Sequence, residues 1–189
     1  FKELLQKYPN ADFSKLVAIR LGDFLRDEGK EDEAIKAYRN AISSYSREIA
    51  LVGKLRIANI QAKRPYSDEY LEALKVYQEI TNLYPETPQA EEAMLRKGLT
   101  LTQYGLFTSA IITLEEFMQK YPLNIYVKRN LIQENIDENL KGLIDHHFRE
   151  GDYFALVSAY NDYKAKYLFN FRFDTTLFQT ATAHRRLGF

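Results

Sequence analysis

Two glycines seven residues apart, followed after sixteen residues by a tyrosine, form a spacing that recurs along this chain and strongly constrains its fold. The residues on this schedule are Gly22, Gly29 and Tyr45, then Gly98, Gly105 and Tyr121, and finally Gly151 and Tyr167. Self-similarity at a fixed period is typical of stacked repeats. The spacing therefore predicts a helical array rather than an enzyme built around a single core.

Apolar residues between these glycines recur at helical spacing. In the first unit one apolar stripe runs from Val17 to Leu25 and another from Ala34 to Ile42, with Gly29 in the polar turn between them. Strand-like alternation is nowhere sustained. We predict an all-α fold without a sheet, made of helical hairpins that stack because one hairpin cannot bury both of its faces.

Local signals mark one helix start and one helix end. Thr87 is expected to cap a helix that begins at Pro88, and Pro122 is expected to end the next helix. Small residues should let the helices of a hairpin approach closely, and large ones should fill the space toward the neighbouring hairpin. The small residues are Gly22 with Ala34 and Gly98 with Ala110, and the large ones are Tyr38 and Leu114.

The intervals between the closing tyrosines give the period of the array. They are 37, 39, 37 and 46 residues, from Tyr8 through Tyr45, Tyr84 and Tyr121 to Tyr167. We expect a single solenoid with units at about 12–46, 47–86, 88–123 and 124–168 and partial units at 1–9 and 174–189. The extra residues before Tyr84 should lie in the loop 63–68.

The longest interval predicts an unusual element. Ile125, Ile132, Ile136, Leu140, Leu143, Ile144 and His147 form one apolar stripe. It predicts a single helix from about Asn124 to about Arg149, spanning roughly 39 Å. The alternative is an ordinary helix preceded by an ordered loop.

Both ends of the sequence resemble hairpins without a partner helix. Leu4, Tyr8 and Pro9 fit the end of one helix, and Ala181 and Gly188 repeat the seven-residue interval. We expect a piece of a longer array whose apolar ends associate with another molecule, including a second copy end to end. A C-terminal aromatic cluster is expected to be core for the missing unit of the longer array, with an exposed binding surface as the alternative. It consists of Tyr153, Phe154, Phe169, Phe171 and Phe173.

Composition argues against several function classes. The 26 basic and 26 acidic side chains balance, which argues against a nucleic-acid partner. The absence of cysteine removes disulfides and thiolate metal sites. Because no apolar run approaches the ~20 residues that span a bilayer, we expect no direct membrane insertion.

Catalytic and metal-binding patterns are also missing from the sequence, so we expect neither catalysis nor a cofactor. His146 and His147 would point about 100° apart on a helix, so we predict no metal site, with His147 in the core and His146 on the surface. The pairs Glu91-Glu92 and Glu115-Glu116 are expected on solvated faces, balanced by a basic residue one turn away.

The motifs in these units resemble the tetratricopeptide repeat (TPR) family over nearly the whole chain. In the first unit the matching residues are Ala18, Leu21, Gly22, Leu25, Ala34, Tyr38 and Ala41, with Ser46 in place of proline. In the third they are Met94, Gly98, Leu101, Ala110, Leu114, Phe117 and Pro122, with Lys97 in place of leucine. The second unit matches at Ala73, Tyr77 and Pro85, and the fourth only weakly. The resemblance implies a right-handed superhelix that binds proteins.

A narrower likeness concerns the junctions Tyr84-Pro85 and Tyr121-Pro122, each followed by a helix. They are similar to junctions in TPR proteins of the bacterial cell envelope, such as outer-membrane assembly lipoproteins and the periplasmic coordinator of the Tol-Pal system. This likeness implies a periplasmic or envelope-associated protein, with the cytoplasm as the alternative.

In this family the first helix of each hairpin lines a concave binding surface. By register that surface comprises Ile19, Asp23, Arg26, Leu95, Leu99, Thr102, Lys141, Asp145, Phe148, Phe178, Thr182 and Arg185. The alternative for each is packing against a neighbouring helix. Ile19 and Asp23 stand where some relatives clamp a carboxylate with lysine and asparagine, and Asp23 would repel that ligand.

The sequence therefore predicts a scaffold that binds a peptide or partner protein and catalyses nothing. One alternative is a structural subunit of a bacterial envelope assembly, joined through its ends. Another is the docking module of a larger enzyme or sensor.

Overall fold

The structure, a computed structural model, describes residues 12–64, 68–166 and 174–188, together with Glu3, Lys7 and Tyr8. Ten α-helices of defined bounds cover most of these residues, and no strand occurs among them, which confirms the predicted all-α fold. Within the described ranges, no helix combines the length and the apolar character that crossing a bilayer requires. The chain divides into two compact units, Phe1–Lys97 and Gly98–Phe189.

Among its described residues, unit 1 holds four complete helices of defined bounds and the first part of a fifth. They are α1 (Asp12–Asp27), α2 (Glu31–Ile42), α3 (Arg47–Gln61), α4 (Glu69–Leu83) and α5 (Pro88–Gln103), which continues into unit 2. Two buried clusters form the core. One joins α1, α2 and α3 around Tyr38, and the other joins α3, α4 and α5 around Tyr77. Each of the two cores is therefore shared by three consecutive helices.

Unit 2 begins with the end of α5. It continues with α6 (Phe107–Lys120), α7 (Ile125–Lys128), α8 (Leu131–Glu150), α9 (Tyr153–Lys166) and α10 (Asp174–Leu187). Helix α8 is central, since α6, α9 and α10 each pack against it. Its buried stripe of Ile132, Ile136, Leu140 and Ile144 supplies that core, as the periodicity predicts.

The helix ends follow the predicted signals. Gly29 has a φ of +74°, a left-handed conformation that glycine adopts without a steric penalty. The Thr87 Oγ1 atom accepts a hydrogen bond from the Ala90 N–H at 3.2 Å, so Thr87 caps α5, which begins at Pro88. Helix α6 ends at Lys120, before the Tyr-Pro pair.

Residues 62–68 connect α3 to α4, where the sequence predicts the extra residues; within this connection, 65–67 lie outside the described ranges. Arg64, at the start of this connection, contacts the first turns of α2 and α4. Its Nη2 donates to Asp32 Oδ1 at 2.6 Å and its Nη1 to Glu69 Oε2 at 3.2 Å, while Nε reaches Glu31 at 3.4 Å. One guanidinium therefore ties the start of α2 to the start of α4.

The prediction of one long helix over 124–149 is wrong. Helix α7 ends at Lys128, and α8 begins only at Leu131. Between them Asn130 has a φ of +58°, a left-handed conformation that breaks a right-handed helix. Asparagine adopts it more readily than most residues. The structure agrees with the alternative of an ordinary helix preceded by an ordered connection. The prediction failed because Ile125 continues the apolar spacing of α8 although it lies outside that helix.

Gly22 and Gly98 allow close helix approach, as predicted. A Cβ atom added to Gly22 would meet the ring of Tyr38 at less than 3.0 Å, and one added to Gly98 would meet Leu114 Cδ2 at 2.6 Å. Both large side chains are fully buried. Tyr38 and Leu114 therefore each fill the space over the glycine of their own hairpin. The sequence had predicted that they fill the space toward the neighbouring hairpin.

The closing tyrosines do not share one environment. Tyr45 is 98% exposed, while Tyr84 and Tyr121 are half-buried. In the aromatic cluster Tyr153 is half-buried and Phe154 is 76% exposed, which is compatible with both alternatives given for the cluster. The predictions made for Leu4, Pro9, Tyr167, Phe169, Phe171 and Phe173 lie outside the described residues.

Candidate partner-binding face

Polar side chains from three helices of unit 1 meet on one surface, called here the charged face. It consists of Asp23 and Arg26 on α1, Arg56 and Asn59 on α3, and Glu92 and Arg96 on α5. Arg26 Nη1 lies 3.3 Å from Asp23 Oδ1, and Arg96 Nε lies 3.6 Å from Glu92 Oε1. The face therefore carries both signs of charge within one hydrogen-bonded and ion-paired set.

A buried tyrosine holds Asp23 in place. The Tyr38 hydroxyl donates to Asp23 Oδ1 at 2.8 Å, and the Tyr38 side chain is otherwise enclosed in the core. Burial raises the pKa of Tyr38, and the hydrogen bond to Asp23 raises it further. The hydroxyl is therefore a donor at neutral pH, which suits a carboxylate acceptor.

The same device recurs one hairpin later. The Tyr77 hydroxyl donates to Asn59 Oδ1 at 2.8 Å, and Asn59 Nδ2 donates to Glu92 Oε1 at 3.2 Å. Tyr77 is as deeply buried as Tyr38. A tyrosine from the second helix of each hairpin thus passes through the core and orients a polar side chain on the first, which gives the face a fixed geometry.

Arg56 links the two halves of the charged face. Its Nε atom lies 3.3 Å from Asp23 Oδ1 and its Nη1 atom 3.5 Å from Glu92 Oε1. The Nε atom is buried, yet its N–H is not aligned for a hydrogen bond with any acceptor in the described part of the chain. The contact with Asp23 is therefore electrostatic and leaves donor capacity unused.

A shallow cleft of about 180 Å³ opens beside this guanidinium. Its lining combines apolar and polar side chains from α3 and α5: Val52, Leu55, Arg56, Pro88, Gln89 and Glu92. Of these residues Leu55 is almost completely buried, and Arg56 and Glu92 are half-buried. The cleft combines apolar side chains with both signs of charge, and it is smaller than the roughly 300–1,000 Å³ of a small-molecule site. It therefore suits a single side chain of a larger ligand.

Replacement of Tyr77 by phenylalanine should lower the free energy of unfolding by about 1 kcal/mol, because Asn59 Oδ1 loses its donor while the ring still fills the core. Urea unfolding followed by circular dichroism measures the change. Tyr45→Phe is the matched control, since a hydroxyl on a side chain that is 98% exposed contributes almost nothing. Equal losses in both variants would contradict the assigned contact.

Unit 2 carries a separate cleft of about 200 Å³ between α8 and α10. Its lining residues are Glu138, Lys141, Gly142, Asp145, Thr175 and Gln179. Gln179 Nε2 donates to Asp145 Oδ1 at 2.9 Å, and Arg149 pairs with the same carboxylate. The Gln179 hydrogen bond, assisted by Arg149, lowers the pKa of Asp145. The contribution of this pairing to the free energy of unfolding is therefore fully present above the pKa that Asp145 has in the unfolded chain. It is lost as the pH falls through the lower pKa that Asp145 has in the folded protein.

Helix α8 also contains a buried amide. Asn139 is fully buried, and its Nδ2 donates to Thr102 Oγ1 at 2.7 Å and to the Asn135 carbonyl at 2.7 Å. Its Oδ1 accepts no hydrogen bond from the residues that the structure describes. Thr102, predicted to face a partner, is thus half-buried and engaged with α8.

The predicted binding residues fall into three environments. Ile19 and Leu95 are buried at 6% and 7%, in agreement with the packing alternative and leaving little surface for a partner. Half-buried residues are Asp23, Arg26, Leu99, Thr102, Asp145, Phe148 and Thr182, and exposed ones are Lys141, Phe178 and Arg185. The structure brings Asp23 together with Arg26 in one face, and Lys141 together with Asp145 in one cleft.

Four residues of the charged face were not predicted as binding residues from the sequence: Arg56, Asn59, Glu92 and Arg96. A usable signal existed for Asn59, because it follows Asp23 by 36 residues, close to the 37-residue interval between closing tyrosines.

The structure also shows the environments of the two adjacent histidines and of the paired glutamates. His146 is exposed and His147 half-buried, and no cluster of three or more potential metal ligands occurs in the described part of the chain. Glu92 pairs with Arg96 one turn away, as predicted. The expectation for Glu115 is wrong, because its side chain is only 15% exposed and binds Lys166 on α9 at 2.5 Å.

Comparison with models of known protein families finds no match, and comparison with curated proteins finds no significant relative.

Proposed function

We propose that this protein is a binding scaffold of the tetratricopeptide repeat type, a right-handed superhelix of stacked hairpins that catalyses no reaction. It binds a peptide or a segment of a partner protein on the charged face. The narrower likeness at the Tyr-Pro junctions leads us to place it in the bacterial envelope, with the cytoplasm as the alternative.

One observation carries this proposal: two polar side chains of the charged face, Asp23 and Asn59, are positioned from the core. Tyr38 orients Asp23, and Tyr77 orients Asn59, by hydrogen bonds of 2.8 Å each. Most surface polar groups have no such support, and ordering them on binding costs conformational entropy. Groups already fixed lose less entropy when they bind, so a pre-organised polar face is suited to specific recognition.

The cleft beside Arg56 suggests how a ligand would be held. An apolar side chain of the ligand would occupy the space above Leu55, while its neighbouring polar groups would pair with Arg56 and Glu92. A few such anchors dominate the affinity of most protein interfaces. Because Arg56 and Glu92 have opposite charges, we expect a mixed-charge ligand rather than a uniformly acidic or basic one.

Selection of peptides from a random display library on the wild-type chain tests this function. Recovered peptides should bind with micromolar or better affinity, and Arg56→Glu and Glu92→Arg should each weaken binding by about 2 kcal/mol, roughly thirtyfold. The matched controls Lys36→Glu on α2 and Glu116→Arg on α6 reverse exposed charges elsewhere. Peptides that respond equally to all four variants, or to none, would contradict the charged face as the binding site.

Assembly through an end of the array is a second candidate function, and α1 favours it. Phe13, Leu16 and Phe24 are 50%, 52% and 55% exposed. Sedimentation velocity over a range of concentrations tests this alternative. Self-association abolished by Leu16→Asp would support it, and a monomer at all concentrations would exclude a second copy as the partner.

A further inference from the structure

The connection from α6 to α8 in unit 2 exposes apolar side chains to an unusual degree. Leu123 is 78% exposed, Ile125 52% and Tyr126 43%. The three lie within four residues of one another, on either side of Asn124, whose side chain accepts a hydrogen bond from the Tyr126 N–H at 2.8 Å. These side chains therefore project from an ordered turn rather than from a random segment.

Basic residues frame this apolar group. Lys120, Lys128 and Arg129 are all exposed, and no carboxylate of the described residues lies within ion-pair distance of them. Residues 117–133 contain no aspartate or glutamate, although the chain as a whole is electrically neutral. We call residues 120–129 the basic tip.

An equivalent position in unit 1 shows that this composition is not a property of every junction. Leu83 is 61% exposed and also precedes a Tyr-Pro pair. The residue that follows Pro85 is Glu86, and no lysine or arginine lies between Leu83 and Pro88. An exposed leucine and a cation over the tyrosine ring are thus common to both junctions, since Arg47 lies over Tyr84 and Lys120 over Tyr121. Lys128 and Arg129 are specific to the basic tip, because Glu91 and Glu92 hold the corresponding positions after Tyr84.

We propose that the basic tip binds the surface of an anionic lipid bilayer, which goes beyond the proposed protein-binding function. Leu123 and Ile125 enter the boundary between headgroups and acyl chains, Tyr126 lies at headgroup level, and the three cations contact lipid phosphates. Apolar side chains with a basic rim and an amphipathic aromatic ring match that interface chemically. The contact is peripheral and requires no spanning helix.

Vesicle co-sedimentation of the full chain tests this proposal. The protein should sediment with phosphatidylcholine vesicles containing about one-third phosphatidylglycerol and stay in solution with phosphatidylcholine alone, and salt should weaken binding. Removal of one cation should reduce affinity roughly fivefold. The pair Lys128→Glu/Arg129→Glu and the pair Leu123→Asp/Ile125→Asp should each reduce it at least about tenfold.

Leu83→Asp is the matched control, since it introduces the same charge at an exposed leucine that is followed by Glu86, Glu91 and Glu92 rather than by Lys128 and Arg129. Wild type that fails to bind anionic vesicles at low salt, or a loss in Leu83→Asp as large as that in the tip variants, would overturn the proposal. A protein partner on the tip would give the first of these results. Retained peptide binding in the tip variants would separate this outcome from a failure of the proposed protein-binding function.

A fluorescence measurement locates the contact independently. Because the chain contains no tryptophan, Leu123→Trp provides a single reporter at the tip. Its emission should shift to shorter wavelength on adding the anionic vesicles, and the emission of Leu83→Trp should not. Sedimentation without a shift at position 123 would show that another part of the protein binds the lipid.

Discussion

Replacement of Tyr38 by alanine should destabilise unit 1 by about 3–5 kcal/mol, the range found when a large buried aromatic side chain is removed from a core. Tyr38 is fully buried, and its ring lies against the backbone of Gly22. The substitution empties that space and also removes the hydroxyl that orients Asp23. Urea unfolding followed by circular dichroism measures the loss, and hydrogen exchange of α1 and α2 amides shows where it occurs.

Two further substitutions separate packing from hydrogen bonding at this position. Tyr38→Phe keeps the ring and should cost only about 1 kcal/mol, because Asp23 remains partly solvated and paired with Arg26. Gly22→Ala in the Tyr38→Ala background should be tolerated, since the added methyl group then enters empty space. A cost for Tyr38→Ala no greater than that for Tyr38→Phe would contradict the packing role of the ring.

Leu114→Ala should destabilise unit 2 by about 2–5 kcal/mol for the same reason. Its informative partner is Gly98→Ala, which in the wild type places a methyl group 2.6 Å from Leu114 Cδ2. That crowding should cost about 1–3 kcal/mol, against a gain of about 1 kcal/mol from the better helix propensity of alanine. In the Leu114→Ala background the crowding disappears and only the gain remains.

The effect of Gly98→Ala should therefore change sign between the two backgrounds, and a double-mutant cycle measures that coupling. Leu106→Ala is a suitable control, because Leu106 is 41% exposed and should show little coupling to Gly98. Additive effects of Gly98→Ala and Leu114→Ala would contradict the close approach described for this hairpin.

Much of the helical framework was predictable because the determining interactions are local. Gly29 ends α1 through its own backbone conformation, and Thr87 with Pro88 starts α5 through a cap that involves only the next few residues. The glycines of close approach were also predictable, since Gly22 and Gly98 recur at the same place in two units. Which side chain covers each glycine was not, because that depends on the distance between helices.

The break before α8 shows where periodicity fails. Ile125 continues the apolar spacing of α8, so pattern alone favours one helix. The left-handed conformation of Asn130 overrides the pattern, and asparagine is compatible with either interpretation. The charged face was not predictable from the sequence for a different reason. Arg56 and Glu92 come together from helices more than thirty residues apart, and their contact depends on the tertiary arrangement.

Amide chemical-shift mapping of the isotope-labelled chain with a display-selected peptide tests the central claim most directly. We predict that the perturbed amides cluster on α1, α3 and α5 around Asp23, Arg56, Asn59 and Glu92, and that Arg56→Glu removes the perturbations while leaving the remaining spectrum unchanged. Perturbations concentrated on α2 and α4, or on the exposed apolar surface of α1, would contradict recognition by the charged face.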